Sequence, residues 1–69
     1  MSAFSERLIQ LRNRKKLSQK DAADEFGVVV RAYQRYEYGE REPQLSTLIR
    51  MADFYGVSLD YLVGRSDIP

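Results

Sequence analysis

Residues 17–39 read LSQKDAADEFGVVVRAYQRYEYG and hold two short helical patterns separated by a tight turn. Ser18, followed three residues later by Asp21, is a variant of the capping box and predicts the start of the first helix. Gly27 predicts its end, because a residue without Cβ turns there at little steric cost. A second pattern begins after a three-residue turn and stops at Gly39. The stretch therefore predicts two short helices that pack against each other across a tight turn.

Helical patterns also fill the rest of the chain, and no alternating run or hairpin dipeptide predicts a strand. We expect five helices, over about residues 3–16, 18–26, 29–38, 45–55 and 59–63, with Ser2 and Ser58 as N-caps of the first and last. Apolar stripes that would face the core are Phe4, Leu8 and Leu11 in the first helix and Leu45, Leu48, Ile49, Ala52 and Tyr55 in the fourth. The short connections indicate an all-α, compact five-helix bundle over residues 1–65, followed by a loose tail or the start of a linker at 66–69.

Length and composition exclude several classes of protein. A chain of 69 residues allows one domain. It contains no Cys and no His, which rules out disulfides, a thiolate nucleophile and Cys-ligated zinc, and removes the commonest general base. The carboxylates are spread along the helices, and no Gly-rich phosphate loop or nucleophile elbow occurs. We therefore expect that the protein is not an enzyme and that it binds neither a cofactor nor a metal.

The sequence also lacks the patterns of a membrane or secreted protein. No apolar run approaches the roughly 18 residues that suggest a membrane span. Residues 1–7 lack the basic and apolar segments of a secretory signal. We expect a cytoplasmic domain with no membrane contact and no small-molecule substrate.

The formal net charge of +1 conceals an uneven distribution of charge. Residues 1–20 hold six Lys or Arg against one Glu, whereas residues 21–69 hold five against nine Asp or Glu. The near-neutral sum therefore does not exclude nucleic-acid binding. It predicts modest non-specific affinity for a polyanion. Discrimination between nucleic-acid sequences would then depend on a few base contacts.

The third helix has two different sides on a helical wheel. The side predicted to face the core carries Val29, Ala32, Tyr33 and Tyr36, and the outward side carries Arg31, Gln34, Arg35 and Tyr38, with Val30 and Glu37 at a boundary. Arg can bond guanine O6 and N7, Gln can bond adenine N6 and N7, and Val can contact a thymine methyl. The alternative is a solvated polar face. With the tight turn before it, the pattern favours a helix-turn-helix whose second helix enters the DNA major groove.

Residues 17–28, 36–43 and 48–64 closely resemble the Cro/CI-type (XRE-like) helix-turn-helix of phage and bacterial repressors, and the likeness extends over about residues 4–65. The resemblance implies the lambda-repressor-like fold, with the helix-turn-helix formed by helices two and three. It also implies which residues meet DNA. Base-contacting positions match Val30, Arg31 and Arg35, with Gln34 a weaker candidate. Phosphate-contacting positions match Gln19, Tyr38 and Arg41, and the resemblance implies that Gln19 also bridges the phosphate to the recognition helix.

Two further phosphate candidates and one ion pair accompany these positions. Arg14 is a candidate on charge alone, and Ser18 lies at the start of helix two, where free N–H groups suit an anion. Arg12 and Glu37 match a family pair that ties helix one to the end of helix three, and a half-buried bidentate ion pair is expected there. The alternative for that pair is two solvated charges.

Four residues depart from the family pattern. Val29 stands where Ser or Thr usually caps the recognition helix, and the missing cap should cost around 1 kcal/mol of stability. Tyr33 replaces a smaller aliphatic residue and Ala22 a usual Leu, so we expect Tyr33 to fill the space that Ala22 vacates. Val30 replaces a residue that is more often polar, which puts the base preference at that position in doubt.

These features predict sequence-specific binding to double-stranded DNA by a transcriptional regulator, a repressor that occludes a promoter. A homodimer would place two recognition helices about 34 Å apart on a two-fold operator. Its expected surface is helix five, through Leu59, Tyr61 and Leu62, although Leu59 and Leu62 could equally belong to the core. The alternative function is a protein-interaction module, such as an antitoxin or anti-repressor. Salt-dependent retention on DNA or heparin distinguishes the two.

Overall fold

A computed structural model describes residues 3–69 and, in this range, contains five α-helices and no strand. The helices are α1 (Ala3–Arg14), α2 (Gln19–Phe26), α3 (Val30–Tyr38), α4 (Leu45–Tyr55) and α5 (Leu59–Leu62). The predicted all-α five-helix architecture is confirmed, and helix ends differ from the prediction by at most two residues. The expected N-cap Ser2 lies outside the described residues. No helix in residues 3–69 is long and apolar enough to cross a membrane.

The end of α1 differs from the prediction because Lys16 leaves the helical conformation. Lys16 has a φ of 57°, in the left-handed region. Its N–H donates to the carbonyl of Asn13 at 3.0 Å, and the N–H of Leu17 donates to the carbonyl of Arg12 at 3.2 Å. These two bonds form a Schellman motif with a lysine at the position that glycine usually takes. The helix therefore ends at Arg14 and not at Lys16.

The turn between α2 and α3 is fixed by caps on both sides. The hydroxyl of Ser18 accepts from the N–H of Asp21 at 3.0 Å, and the Asp21 carboxylate accepts from the N–H of Ser18 at 3.4 Å. Gly27 ends α2 with a φ of 68°. A Cβ at this glycine would lie 3.3 Å from Nη1 of Arg50, whose Nη2 donates to the Glu25 carbonyl. Both the backbone conformation and the nearby guanidinium therefore favour glycine at position 27.

The core lies where α1, α2 and α3 meet the inner faces of α4 and α5. It consists of Phe4, Leu8, Leu11, Ala22, Ala23, Phe26, Tyr33, Tyr36, Met51, Ala52, Tyr61 and Leu62. Phe26 stands among aromatic rings, with ring centroids 6.3 Å from Tyr33, 5.6 Å from Phe54 and 5.8 Å from Tyr55. These rings lie in the same core as the two small residues of α2, Ala22 and Ala23, which are also buried.

Two parts of the predicted core are wrong. Val29 is 71% exposed because it is the N-cap of α3, with extended backbone, so the helical wheel does not describe its direction. In α4, Leu45 is 66% and Ile49 is 42% exposed, while Met51 is fully buried. The helix packs through the side that carries Met51 and Ala52. Leu45 and Ile49 therefore lie at the solvent-facing edge of α4.

The tail after α5 contacts the body of the domain. Arg7 on α1 donates to the carbonyls of Tyr61, at 2.6 Å, and of Ser66, and its Nη2 lies 2.8 Å from Asp67 Oδ1. The carbonyl of Pro69 accepts from the N–H of Ser58 at 3.0 Å. Residues 66–69 therefore pack beside α1 and α5.

Candidate nucleic-acid interface

The outward side of α3 presents polar and cationic side chains around a shallow cavity. The cavity has a volume of about 230 Å³ and is lined by Arg31, Gln34, Arg35, Tyr38 and Glu40. Arg31 and Arg35 are exposed and have no ion-pair partner within residues 3–69. Three of the four predicted base-contacting residues are thus gathered in one place with Tyr38. Val30 is exposed at the start of the same helix but does not line the cavity.

A buried ion pair joins α1 to α3 behind this face. Arg12 Nε lies 2.6 Å from Glu37 Oε2, and Arg12 Nη2 lies 3.1 Å from Oε1, so the contact is bidentate. The side chain of Glu37 is 2% exposed. Arg12 also donates from Nη1 to the carbonyl of Leu17 at 2.9 Å. The two predicted partners therefore meet, and the pair fixes the orientation of α3 relative to α1.

Glu37 accepts hydrogen bonds from two further residues. The hydroxyl of Tyr33 donates to Oε2 at 2.6 Å, and Nε2 of Gln19 donates to Oε1 at 3.0 Å. The contribution of Tyr33 is missing from the sequence prediction, although Tyr33 precedes Glu37 by four residues and so lies on the same helical face. Four donor atoms thus surround one buried carboxylate, as a charge out of water requires.

These contacts keep the carboxylate ionised. Burial by itself would raise the pKa of Glu37, but the hydrogen bonds from Arg12, Tyr33 and Gln19 outweigh it, and the pKa lies below its ordinary value. The hydrogen bond to Glu37 raises the pKa of Arg12, and burial raises the pKa of Tyr33. At neutral pH the group consists of one anion, one cation and two neutral donors.

Gln19 connects the ion pair to the outward face of α3. Its Oε1 accepts a hydrogen bond from Nε2 of Gln34 at 3.1 Å while its Nε2 donates to Glu37. The first residue of α2 is therefore bonded to α3 through both ends of its amide. Sequence reasoning links Gln19 to the recognition helix only through the resemblance and does not identify Gln34 as its partner.

The predicted phosphate-contacting residues lie in several places. Gln19 and Ser18 stand at the start of α2, and the Ser18 hydroxyl already accepts from Asp21. Arg14 is exposed at the end of α1. Arg41 lies in the loop after α3 and lines a separate cavity of about 290 Å³, together with Ala3, Phe4, Gly39, Glu42, Pro43, Leu48 and Val63. Neither arginine has an ion-pair partner in the described chain.

The predicted dimer surface needs correction. Leu62 is fully buried, and Tyr61 is 9% exposed with the guanidinium carbon of Arg7 4.0 Å from its ring centroid. Both side chains complete the core of this small domain and do not face a partner. Leu59, at 37% exposure, stays at the surface. Residues 3–69 contain no cluster of acidic side chains that could hold a metal ion.

Comparisons with known proteins agree with this architecture. The family model described as helix-turn-helix matches residues 8–62. The uncharacterized HTH-type transcriptional regulator YqaE of Bacillus subtilis is 48% identical over 87% of this chain and 52% of its own length. The chain spans about half the length of the curated relatives it matches.

Solved structures show the same fold. A transcriptional regulator from Listeria innocua superposes with a TM-score of 0.85 and 34% identity, over 88% of this chain and 57% of that one. The DNA-binding domain of the P22 C2 repressor, residues 1–76, superposes with a TM-score of 0.81 and 27% identity, over 96% of this chain and 86% of that one.

Proposed function

We propose, since the chain belongs to the helix-turn-helix family, that it binds double-stranded DNA sequence-specifically as the DNA-binding part of a transcriptional regulator. The observation that carries the proposal is the outward face of α3. Arg31, Gln34 and Arg35 line one cavity there, and no ion pair within the described chain occupies the two arginines. Donors held on a rigid helix are what reading of base edges in the major groove requires.

The buried Glu37 group supports this assignment because it holds α3 in place against its neighbours. Arg12 bonds the carboxylate from α1, and Gln19 bonds it from the start of α2. A recognition helix anchored at both sides presents its outward residues in a fixed register. Phosphate contacts from Gln19, Ser18, Arg14, Tyr38 and Arg41 would position the duplex, and α3 would supply the discrimination between bases.

The biological consequence that we propose is repression. A protein that occupies an operator overlapping a promoter excludes polymerase without any chemistry of its own. The P22 C2 repressor, whose DNA-binding domain shares this fold, is named as a repressor. We place the protein in the cytoplasm, where its DNA would be.

Two copies would bind a two-fold operator, with recognition helices about 34 Å apart. Of the residues expected at the interface, Leu59 is exposed, and Leu45 and Ile49 on α4 add exposed apolar surface. Sedimentation velocity with and without a palindromic duplex tests the proposal. Two chains on a full site and one on a half-site would support dimeric binding, and one chain on both would exclude it.

The DNA-binding proposal is tested by measuring affinity for a duplex selected from a random pool, at several salt concentrations. Arg31→Ala or Arg35→Ala should each cost about 1–3 kcal/mol and relax the preference at one base position. Arg41→Ala should weaken all sequences alike and reduce the salt dependence. Arg65→Ala is a matched control beyond α5 and should change neither quantity. Binding that survives both α3 substitutions unchanged would refute the assignment.

A further inference from the structure

The cavity that Arg41 lines has apolar residues from four separate segments of the chain around it. Phe4 belongs to the start of α1, Pro43 to the loop after α3, Leu48 to α4, and Val63 directly follows α5. Phe4 and Pro43 are buried, and Leu48 and Val63 are half-buried. The cavity is therefore a product of the folded domain, because residues far apart in sequence form its apolar lining.

Two unpaired charges of opposite sign line the same cavity. Arg41 and Glu42 are both exposed, and neither forms an ion pair or a side-chain hydrogen bond within residues 3–69. They do not pair with each other, although they are neighbours in the chain. An apolar cavity with a few available polar groups is the usual composition of a small-molecule site.

The volume and the two charges restrict the kind of ligand. The cavity holds about 290 Å³, which lies at the lower limit of the roughly 300–1,000 Å³ typical of ligand sites, so it suits a small molecule with a short apolar body. A ligand that carries only a carboxylate would meet the like charge of Glu42, and one that carries only an ammonium group would meet Arg41. A zwitterion can satisfy both residues.

We propose that this cavity binds a free α-amino acid with an aliphatic side chain. Its carboxylate pairs with Arg41, its ammonium group pairs with Glu42, and its side chain packs against the apolar lining. A residue inside a peptide lacks both charges and a peptide end carries only one, so only a free amino acid presents both on the same carbon. The inference goes beyond the proposed function and does not rest on it.

Titration of the isotope-labelled protein with L-leucine, followed through the NMR signals of the backbone amides, tests the site. Leucine should produce saturable shifts that are largest around the cavity, at residues such as Gly39, Leu48 and Val63. The absence of saturable shifts at about 10 mM leucine, a concentration that would fill a millimolar site, would overturn the inference. Shifts centred on another part of the domain would overturn it as well.

Three analogues of leucine each remove one of the features that the cavity should recognise. N-acetyl-leucine lacks the ammonium group, leucinamide lacks the carboxylate, and glycine lacks the side chain. Each should bind about tenfold more weakly than leucine, because each loses one favourable contact. An analogue that binds as tightly as leucine would show that the missing group is not recognised and would contradict the proposed ligand class.

Two variants assign the charges of the ligand to individual residues. Arg41→Gln should weaken leucine about tenfold without weakening leucinamide, which has no carboxylate to lose. Glu42→Gln should weaken leucine to a similar extent without weakening N-acetyl-leucine. Arg14→Gln and Glu25→Gln make the same exchanges at exposed residues of α1 and α2 and should leave all affinities unchanged. Leucine binding that survives both cavity substitutions, or that falls equally in the controls, would overturn the assignment.

Discussion

Glu37 is a buried charge whose position depends on hydrogen bonds from three other residues. Arg12, Gln19 and Tyr33 come from three helices and all donate to its two oxygens. Leaving such a charge without one of its partners is expensive, because water cannot replace the lost donor. At the scale of single residues, this carboxylate is therefore where small chemical changes should have the largest effects.

Removal of the Tyr33 hydroxyl should destabilise the domain. Tyr33→Phe keeps the buried ring but removes a 2.6 Å hydrogen bond to an ionised group, so the free energy of unfolding should fall by about 1.5–3 kcal/mol. Urea denaturation measures the change. Tyr38→Phe makes the same exchange on an exposed ring of the same helix and should leave stability unaltered. Equal stabilities for the two variants would show that the Tyr33 hydroxyl contributes nothing.

Glu37 should also make the stability depend on pH in the acid range. Its pKa in the folded protein lies below the ordinary value of 4.5, so it contributes stability in full above that value and loses it as the pH falls through the lower, folded pKa. The free energy of unfolding should therefore decline as the pH drops below about 4.5. Glu37→Gln should lack this part of the decline. Glu42→Gln, at an exposed carboxylate with no ion pair in the described chain, should keep it, and identical profiles for all three proteins would argue against the role of Glu37.

At the scale of elements, α3 begins without the side-chain cap that stabilises the start of α2. Ser18 caps α2 through its hydroxyl, whereas Val29 occupies the same place before α3 and offers no side-chain acceptor. The first N–H groups of α3 are thus left to solvent or to a ligand. The end of α3 is regular, with Gly39 at a φ of 75°.

A cap at position 29 should stabilise the domain. Val29 has extended backbone and is exposed, so a hydroxyl can replace one methyl without disturbing the core. Val29→Thr should raise the free energy of unfolding by about 1 kcal/mol, because its hydroxyl can accept from an N–H of the first turn. Val29→Ala removes the branched side chain without supplying an acceptor and should give no such gain. A thermal melt of the three proteins decides the matter, and an equal gain in both variants would mean that the effect is not capping.

At the scale of the whole molecule, Arg7 links the two ends of the domain. Its guanidinium carbon lies 4.0 Å from the centroid of the Tyr61 ring, and its N–H groups bond two backbone carbonyls and the Asp67 carboxylate, 54 to 60 residues away in sequence. A chain this short buries little apolar area. A long-range polar contact of this kind therefore adds stability that the small core does not supply.

Loss of the Arg7 contacts should lower the free energy of unfolding mainly because backbone carbonyls lose their hydrogen-bond donor. Arg7→Met should lower the free energy of unfolding by about 1.5–3 kcal/mol, since the carbonyls of Tyr61 and Ser66 lose a charged donor. Asp67→Asn should leave stability nearly unchanged, because the Asp67 side chain is fully exposed and its ion pair is screened by water. Chemical denaturation of both variants tests the ranking, and a reversed order would contradict it.

The comparison of sequence with structure separates local from long-range determinants. Ser18, Gly27 and Gly39 predict helix ends correctly because capping depends on residues a few positions apart. Periodicity alone wrongly places Leu45 and Ile49 in the core, because the side of a helix that is buried depends on the helices that it meets.

The features of the candidate site also divide into those that local periodicity predicts and those that depend on contacts between helices. Helical periodicity predicts that Arg31, Gln34 and Arg35 share one side of α3, and the structure gathers them around one cavity. The hydrogen bond between Gln19 and Gln34 joins different helices through two flexible amides, so no spacing in the sequence indicates it. The sequence thus predicts which residues face outward but not how their polar groups are oriented.

The dependence of Gln34 on Gln19 has a consequence for how such a domain can change its target during evolution. The oxygen of Gln19 needs a donor opposite it, so position 34 should tolerate substitutions that keep an N–H or O–H in reach and reject purely apolar or acidic ones. The side chains of Arg31 and Arg35 make no such hydrogen bond to another described residue. Under the proposed function, new operator preferences should therefore arise first at positions 31 and 35, whereas a change at 34 that removes the donor should require a compensating change at 19.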